Sequence, residues 1–490
     1  MNALLSELSL GAAPIILCIG AMLLLLIDVF SKAEWARGAF AGNIVVLSLV
    51  ACAFNLSGFQ AGSRIFQGFI FADPYALFVT VLILAGSLFG ILLGLNKLRD
   101  EGIESTAEYY ALYLMATAGA IWFATSAELI MLFLALEIMS MALYCLCGAA
   151  YDRKVSSEAA LKYFFLGSFS SAFLLFGIAI LYGVTGSTDI AIIGELIIKG
   201  DQTLSLIGLG LIIIGLAFKI GAVPFHYWAP DVYQGAPTPV TAFMACAIKA
   251  SAFAAAFRVI WTGFGAYFTQ WSGLVWTLAL LTMVIGNLIA LRQRSVKRML
   301  AYSSIAHAGY VLMALLAPTN DFGGGPGALY DLVSYTLMTM GAFGALIAIS
   351  SRFSSERHAD NLSRFNGLST TQPLLAALFT LFLLSLAGLP PGMAGLMGKV
   401  YVFSAVVKAG YPGLAILGIL SSAVSCYYYL RVIVAMYFIE GDEESRTLQS
   451  SIGPNALIKL SMALCAFGVV YFGLFPSGLY RLAEVAVGGM

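Results

Sequence analysis

Fourteen apolar stretches dominate this sequence, each near or above the ~20 residues a helix needs to cross a bilayer. They run over 11–30, 41–57, 74–96, 109–124, 127–150, 159–183, 204–235, 239–262, 272–291, 299–317, 328–350, 373–408, 412–438 and 456–476. Only 10% of the 490 residues are charged and 61% are hydrophobic, whereas a soluble domain carries about 25% charged residues. No aqueous fold of this size hides so much apolar surface. The expected fold is an all-α polytopic membrane protein with the lipid bilayer as its surroundings. The first stretch follows Glu7 without a positive flank and reads as a retained span, not a cleaved signal. Net charge is +0, and no basic or acidic tail invites nucleic acid.

Loop charges set the orientation. Counting the side reached after the first span as inside, inside loops hold Lys32, Arg37, Lys97, Arg99, Arg153, Lys154, Arg292, Arg294, Lys297, Arg298, Arg352, Arg357, Arg364 and Arg446. Outside segments hold Arg64, Lys199, Lys408 and Arg481. This bias places both termini outside and supports an even number of spans.

Two spans are too long. As straight helices, 204–235 and 373–408 would measure about 48 and 54 Å, at 1.5 Å per residue, against a hydrocarbon core of about 30 Å. Each carries breakers near its middle: Gly221 and Pro224 in the seventh, and Gly388, Pro390, Pro391, Gly392 and Gly395 in the twelfth. Broken helices are where transporters place ion sites; a simple proline kink is the alternative at Pro224. Pro224 and Pro391 lie 167 residues apart, and Glu137 and His307 lie 170 apart. The period predicts two five-helix repeats, inverted because five is odd. The organisation read from this is 1–108, three N-terminal helices; 109–262 and 263–438, the repeats; and 439–490, a C-terminal helix and tail.

Ionisable residues inside the spans point to function. A charge at mid-bilayer costs several kcal/mol, roughly 3 by insertion scales. Lys162, Lys219, Lys249, Lys399 and Glu137 all lie within apolar stretches. Lysine withdrawn from water gives up its proton more readily, so the set reads as a route for protons. Glu137 needs a partner to stay charged. Lys162 or Lys219 is the expected one, and a purely structural clamp is the alternative. Lys162, one turn into its span, has the further option of snorkelling to the inner surface. Lys219 precedes the first break, where freed carbonyls are placed to hold its ammonium. Lys249 is central in the eighth span, and Lys399 follows the second break. His307 bridges the halves by position, either as a relay or as a hydrogen-bonded helix contact. His226 follows the first break at the inner entrance, and His358 lies in a charged loop. The seven cysteines show no metal-site spacing, and Cys145-x-Cys147 on a helix points its thiols apart. No nucleotide motif is visible. The chain itself offers no cofactor site.

Several motifs are familiar. Residues 215–243, G-L-A-F-K-I-G-A-V-P-F-H-Y-W-A-P-D-V-Y-Q-G-A-P-T-P-V-T-A-F, resemble the signature of the antiporter-like membrane subunits of respiratory complex I. The runs at 161–173, 297–310 and 388–403 agree, so the resemblance covers essentially the whole chain. Asp231-Val-Tyr-Gln-Gly-Ala-Pro-Thr resembles the branch equivalent to mitochondrial subunit 2. Lys249 stands where the other branches carry a histidine-rich segment, which favours the same branch. Gly392-Met393-Ala394 is a mild departure. The resemblance implies fourteen helices, broken helices 7 and 12, and key residues at Glu137, Lys162, Lys219, Lys249 and Lys399. It implies NADH, FMN, iron–sulfur clusters and quinone in partner subunits, with small and antiporter-like membrane subunits as neighbours. It also implies a bacterial plasma membrane, with periplasmic termini. Two other functions use the same composition: a subunit of a multisubunit cation/proton antiporter or related redox-driven complex, and a passive scaffold, which has no need of five buried ionisable residues.

Overall fold

The computed structural model describes residues 2–30, 34–95, 98, 103, 106–318, 322–350, 360–441 and 456–490. Twelve described helices are long and apolar enough to cross a membrane. Two further spans complete the sequence reading. One is Thr106–Thr125; the other is 373–408, which forms two shorter helices, Pro373–Ala387 and Met393–Lys408. Lys32, Lys97, Arg99, Arg352, Arg357, His358 and Arg446 lie outside the described residues. A two-stranded hairpin, Arg64–Ile65 paired with Ile70–Phe71, joins the second and third spans.

Short polar side chains start several helices by accepting from exposed backbone N–H groups. Asp73 accepts from Ala76, Asp201 from Thr203 and Leu204, and Ser295 from Arg298. The spans are not equally buried. The helices Thr238–Gly263 and Val296–Leu316 each hold an 18-residue stretch that is wholly buried, and Gly324–Ser350 is nearly as enclosed, whereas Ala12–Phe30 and Lys154–Thr185 lie at the periphery. The enclosed eighth, tenth and eleventh spans therefore form the centre. Small residues let the backbones of the ninth and tenth spans approach, as membrane interfaces require. A Cβ on Gly286 would stand 2.8 Å from the backbone nitrogen of Ala306, and one on Gly309 2.7 Å from that of Met283. The eighth span is not uniform: Met244–Ile248 and Val259–Gly263 are π-helical, on either side of the α-helix Lys249–Arg258.

Both long spans are broken as the sequence predicts. The seventh is Gln202–Ile220 followed by Trp228–Gly235. In the first break, Gly221 has φ +80° and Ala222 N donates to Ala217 O at 2.8 Å. In the twelfth span, Gly388 has φ +84° and Leu389 N donates to Leu384 O at 2.8 Å. This is the same glycine-capped helix end twice. A left-handed backbone requires glycine at each position.

One buried ion pair ties the start of the third span to the eighth. Arg258 is 1% exposed and Asp73 0%. Arg258 Nη2 donates to Asp73 Oδ1 at 2.8 Å, and Nη1 donates to Oδ2. The guanidinium also lies over the rings of Phe71 and Tyr75, 4.1 and 4.7 Å from their centroids.

Candidate proton pathway

Lys219, Lys249, His307 and Lys399 are all buried, at 5, 5, 4 and 4% exposed. Lys219, in the last turn before the first break, donates to Ser140 Oγ at 2.8 Å and to Tyr163 OH at 3.1 Å. Its partners are thus hydroxyls of neighbouring helices, not the freed carbonyls expected from sequence. A small pocket of about 10 Å³ reaches it, lined in part by Ser140, Tyr144, Ser170 and Ser171.

Lys249 turns towards the tenth span. It donates to Ser304 O at 2.8 Å and also to Ser304 Oγ. The hydroxyls of Tyr233 and Tyr335 face the same serine. The ring of Tyr335 then lies 4.9 Å from that of His307, and Tyr310 lies 5.5 Å from His307 on another side. Lys399 Nζ stands 5.3 Å from the centre of Tyr310. It donates to Leu386 O at 3.1 Å, Ala387 O at 3.0 Å and Ser422 Oγ at 2.8 Å. Leu386 and Ala387 end the helix before the second break, so their carbonyls lack intrahelical donors. His307 faces the carbonyl of Leu386 as well. Lys249, Ser304, Tyr335, His307, Tyr310 and Lys399 therefore form one row through the centre. Between Lys219 and Lys249 the connection is aromatic. Tyr163 stacks on Trp228 at 4.6 Å, and Trp228 meets Tyr233 edge-on at 6.0 Å.

Two expected placements are corrected. Neither Lys162 nor Lys219 pairs with Glu137 within 4.0 Å; Lys162 pairs with Glu158 and Asp231, both at 2.7 Å. Asp231 also accepts from Arg298 at 2.7 Å. Lys162 is 42% exposed, in line with the snorkelling alternative. Glu137 is half-buried on a face shared with the exposed Ile130, Leu134 and Met141. Its Oε1 is buried without a hydrogen-bond partner. Lys219 is nevertheless the lysine on which the Glu137 charge bears, from beyond ion-pair distance; spacing gives depth along a helix but not how closely two side chains meet. Lys297, counted among loop charges, is buried and donates to Ala236 O at 2.6 Å. His226 is buried in the first break, its Nδ1 unpartnered, with its ring beside Tyr227 and outside the row. As expected, Cys145 and Cys147 diverge, one exposed and one buried.

The structure adds partners that the ionisable residues alone do not reveal. Ser304 lies in the Ala-Tyr-Ser-Ser run beside His307, and Ser140 lies three residues after Glu137. Hydroxyls carry no burial penalty conspicuous in a sequence, so nothing but proximity marks them.

With this geometry in hand, the comparisons place the chain. The pattern defining the NADH:quinone oxidoreductase/Mrp antiporter transmembrane family matches residues 126–425, and the chain belongs to that family. A relative from Trichlorobacter lovleyi, NADH-quinone oxidoreductase subunit N, is 41% identical over 477 residues, covering 96% of this chain and 95% of its own. A chain of respiratory complex I from Thermus thermophilus, solved with bound aureothin, is 33% identical. It covers 94% of this chain and 98% of its own, with a TM-score of 0.75. A chain of the membrane-bound sulfane sulfur reductase, an archaeal respiratory membrane complex, is 25% identical. It covers 99% and 97%, with a TM-score of 0.86.

Proposed function

We propose that this chain is a proton-translocating membrane-arm subunit of an NADH:quinone oxidoreductase, of the subunit N kind. The observation that carries this is the way its buried lysines are held. Lys219, Lys249 and Lys399 meet hydroxyls and carbonyls. Among the described residues, none of the three has a carboxylate within 4.0 Å. An ammonium hydrogen-bonded only to neutral oxygens is not locked in an ion pair, and it gives up its proton more readily than a bridged one. Arg258, locked to Asp73, is the opposite case. The row links two inverted five-helix units, 109–262 and 263–438. Protons enter from the inner side past Lys219, with water bridging the aromatic stretch to Lys249, and leave beyond Lys399. Glu137, on the outward-turned face, is placed to sense a neighbouring membrane subunit. The driving energy comes from electron transfer in partner subunits that hold NADH, FMN, iron–sulfur clusters and quinone.

Purification through an affinity tag on this chain should bring flavin and iron–sulfur subunits with it. Vesicles containing that complex should acidify when NADH and quinone are added. The second reading is a cation/proton antiporter, which the family also includes. It is favoured instead if the purified complex lacks flavin and exchanges sodium for protons without NADH oxidation.

The chain sits in a bacterial plasma membrane with both termini in the periplasm. Single cysteines replacing Arg294 and Arg481 test this. An impermeant thiol reagent applied to intact cells should modify position 481 and spare 294; the reverse pattern inverts the topology.

A further inference from the structure

Asp331 belongs to none of the roles above. It lies seven residues into the helix Gly324–Ser350 and is 1% exposed. Both carboxyl oxygens are buried and accept no hydrogen bond. A carboxylate without donors in apolar surroundings needs either a proton or a counter-charge. Lys399 is the cation that bears on it. The helix of Asp331 and the helix of Lys399 press together through glycines. A Cβ on Gly398 would stand 2.3 Å from Asp331 Oδ1, and one on Gly327 would stand 3.2 Å from the backbone of Tyr401. These contacts fix the order along the two helices. Asp331 lies level with Gly398, and Gly327 and Tyr401 come next towards the ends at Gly324 and Lys408. Loop charges place those ends outside. Beyond them Tyr401 stacks on Tyr480 at 4.3 Å, and both rings are only partly buried.

We propose that Asp331 is a further proton-accepting group, beside Lys399, through which protons leave the row. This rests on the reading of the row as a proton path. In the step, an N–H bond of the Lys399 ammonium breaks and an O–H bond forms on the Asp331 carboxylate. A buried positive and negative charge become two neutral groups, with no change of oxidation state. The two are not within ion-pair distance, so a bridging water or a rotation of the flexible lysine stem completes the reach that proton transfer requires. Asp331 then releases its proton towards the tyrosine edge, and the pair is reset when the row recharges Lys399.

The test uses the intact complex in vesicles, with Asp331→Asn and Lys399→Met measured side by side for NADH-driven proton translocation per assembled complex. Both should fall at least twofold, and about tenfold or more is expected for loss of a general acid–base group. If Lys399→Met pumps at more than half the wild-type rate, the proton-path reading itself fails. If Lys399→Met is impaired while Asp331→Asn keeps more than half, this proposal alone is overturned. Infrared difference spectra on turnover separate a relay from a structural role. The wild type should show the carbonyl band of a carboxylic acid free of hydrogen bonds, and Asp331→Asn should remove it. Absence of that band from the wild type, or its persistence in the variant, overturns the proposal. Asp331→Ser, smaller than aspartate, takes the place of Asn should Asn impair assembly, and the wild-type band is read in either case.

Discussion

Lys249→Met should stop proton translocation by the complex and leave its assembly intact. The lysine is 5% exposed and its hydrogen bonds go to Ser304 alone. Methionine keeps the volume of the stem, a swap that costs less than about 1.5 kcal/mol in a packed interior. Removing the ammonium strands no opposite charge; Ser304 loses two hydrogen bonds, at about 1 kcal/mol each. Function should suffer far more. A group that carries protons contributes on the order of 100-fold or more, so dye-reported acidification by vesicles should fall to the background of an uncoupled preparation. Lys249→Arg separates relay from fixed charge. Arginine keeps the charge but does not release its proton within a protein. Arg should pump no better than Met. Full pumping by the arginine variant makes Lys249 an electrostatic fixture and removes it from the path.

Arg258→Ala should do the reverse, removing the complex rather than slowing it. Arg258 and Asp73 are fully enclosed, and Asp73 also caps the third span through Ala76 N at 2.8 Å. Breaking one side of such a pair leaves a bare buried carboxylate, at a cost of about 3–5 kcal/mol. The cation–π contacts with Phe71 and Tyr75 are lost too. Blue native electrophoresis should show the yield of assembled complex falling steeply and its thermal midpoint lowered. Arg258→Met combined with Asp73→Asn should recover much of that loss. The double variant has no orphan charge, and asparagine still caps a helix. A double variant as impaired as Arg258→Ala shows that packing, not charge, dominates there.

How much of this was legible in the sequence varied with the physics of each feature. The span count, the two breaks and the depth of Lys219, Lys249 and Lys399 follow from composition and from glycine and proline placed in long apolar stretches. Those signals are one-dimensional. The azimuth of a side chain is not, and the readings that depended on it went astray. Glu137 was expected to meet a lysine; its charge bears on Lys219, but from beyond 4.0 Å. Lys297 had the look of a loop charge and is buried against Ala236 O. Arg258 stands near a span edge, where arginine usually needs no explanation, yet it is among the largest fully buried side chains described. Asp331 carried a visible signal. It falls inside the eleventh span as read from sequence, but near its end, where an acid is ordinarily solvated.

The π-helical turn Met244–Ile248, immediately before Lys249, bears on azimuth as well. A wider turn holds about one residue more than an α-turn, and each residue advances the angle by about 100°. A helical wheel drawn at constant pitch through the eighth span therefore puts Lys249 about a quarter-turn from where it lies. The helix Pro412–Phe438, its counterpart in the proposed two-unit organisation, is regular α-helix throughout and has no lysine near 416. Wide turn and lysine thus occur together in one copy and are missing together from the other. One extra residue in a turn re-aims a side chain without moving the helix that carries it, so a span of unchanged position presents different chemistry to its neighbours.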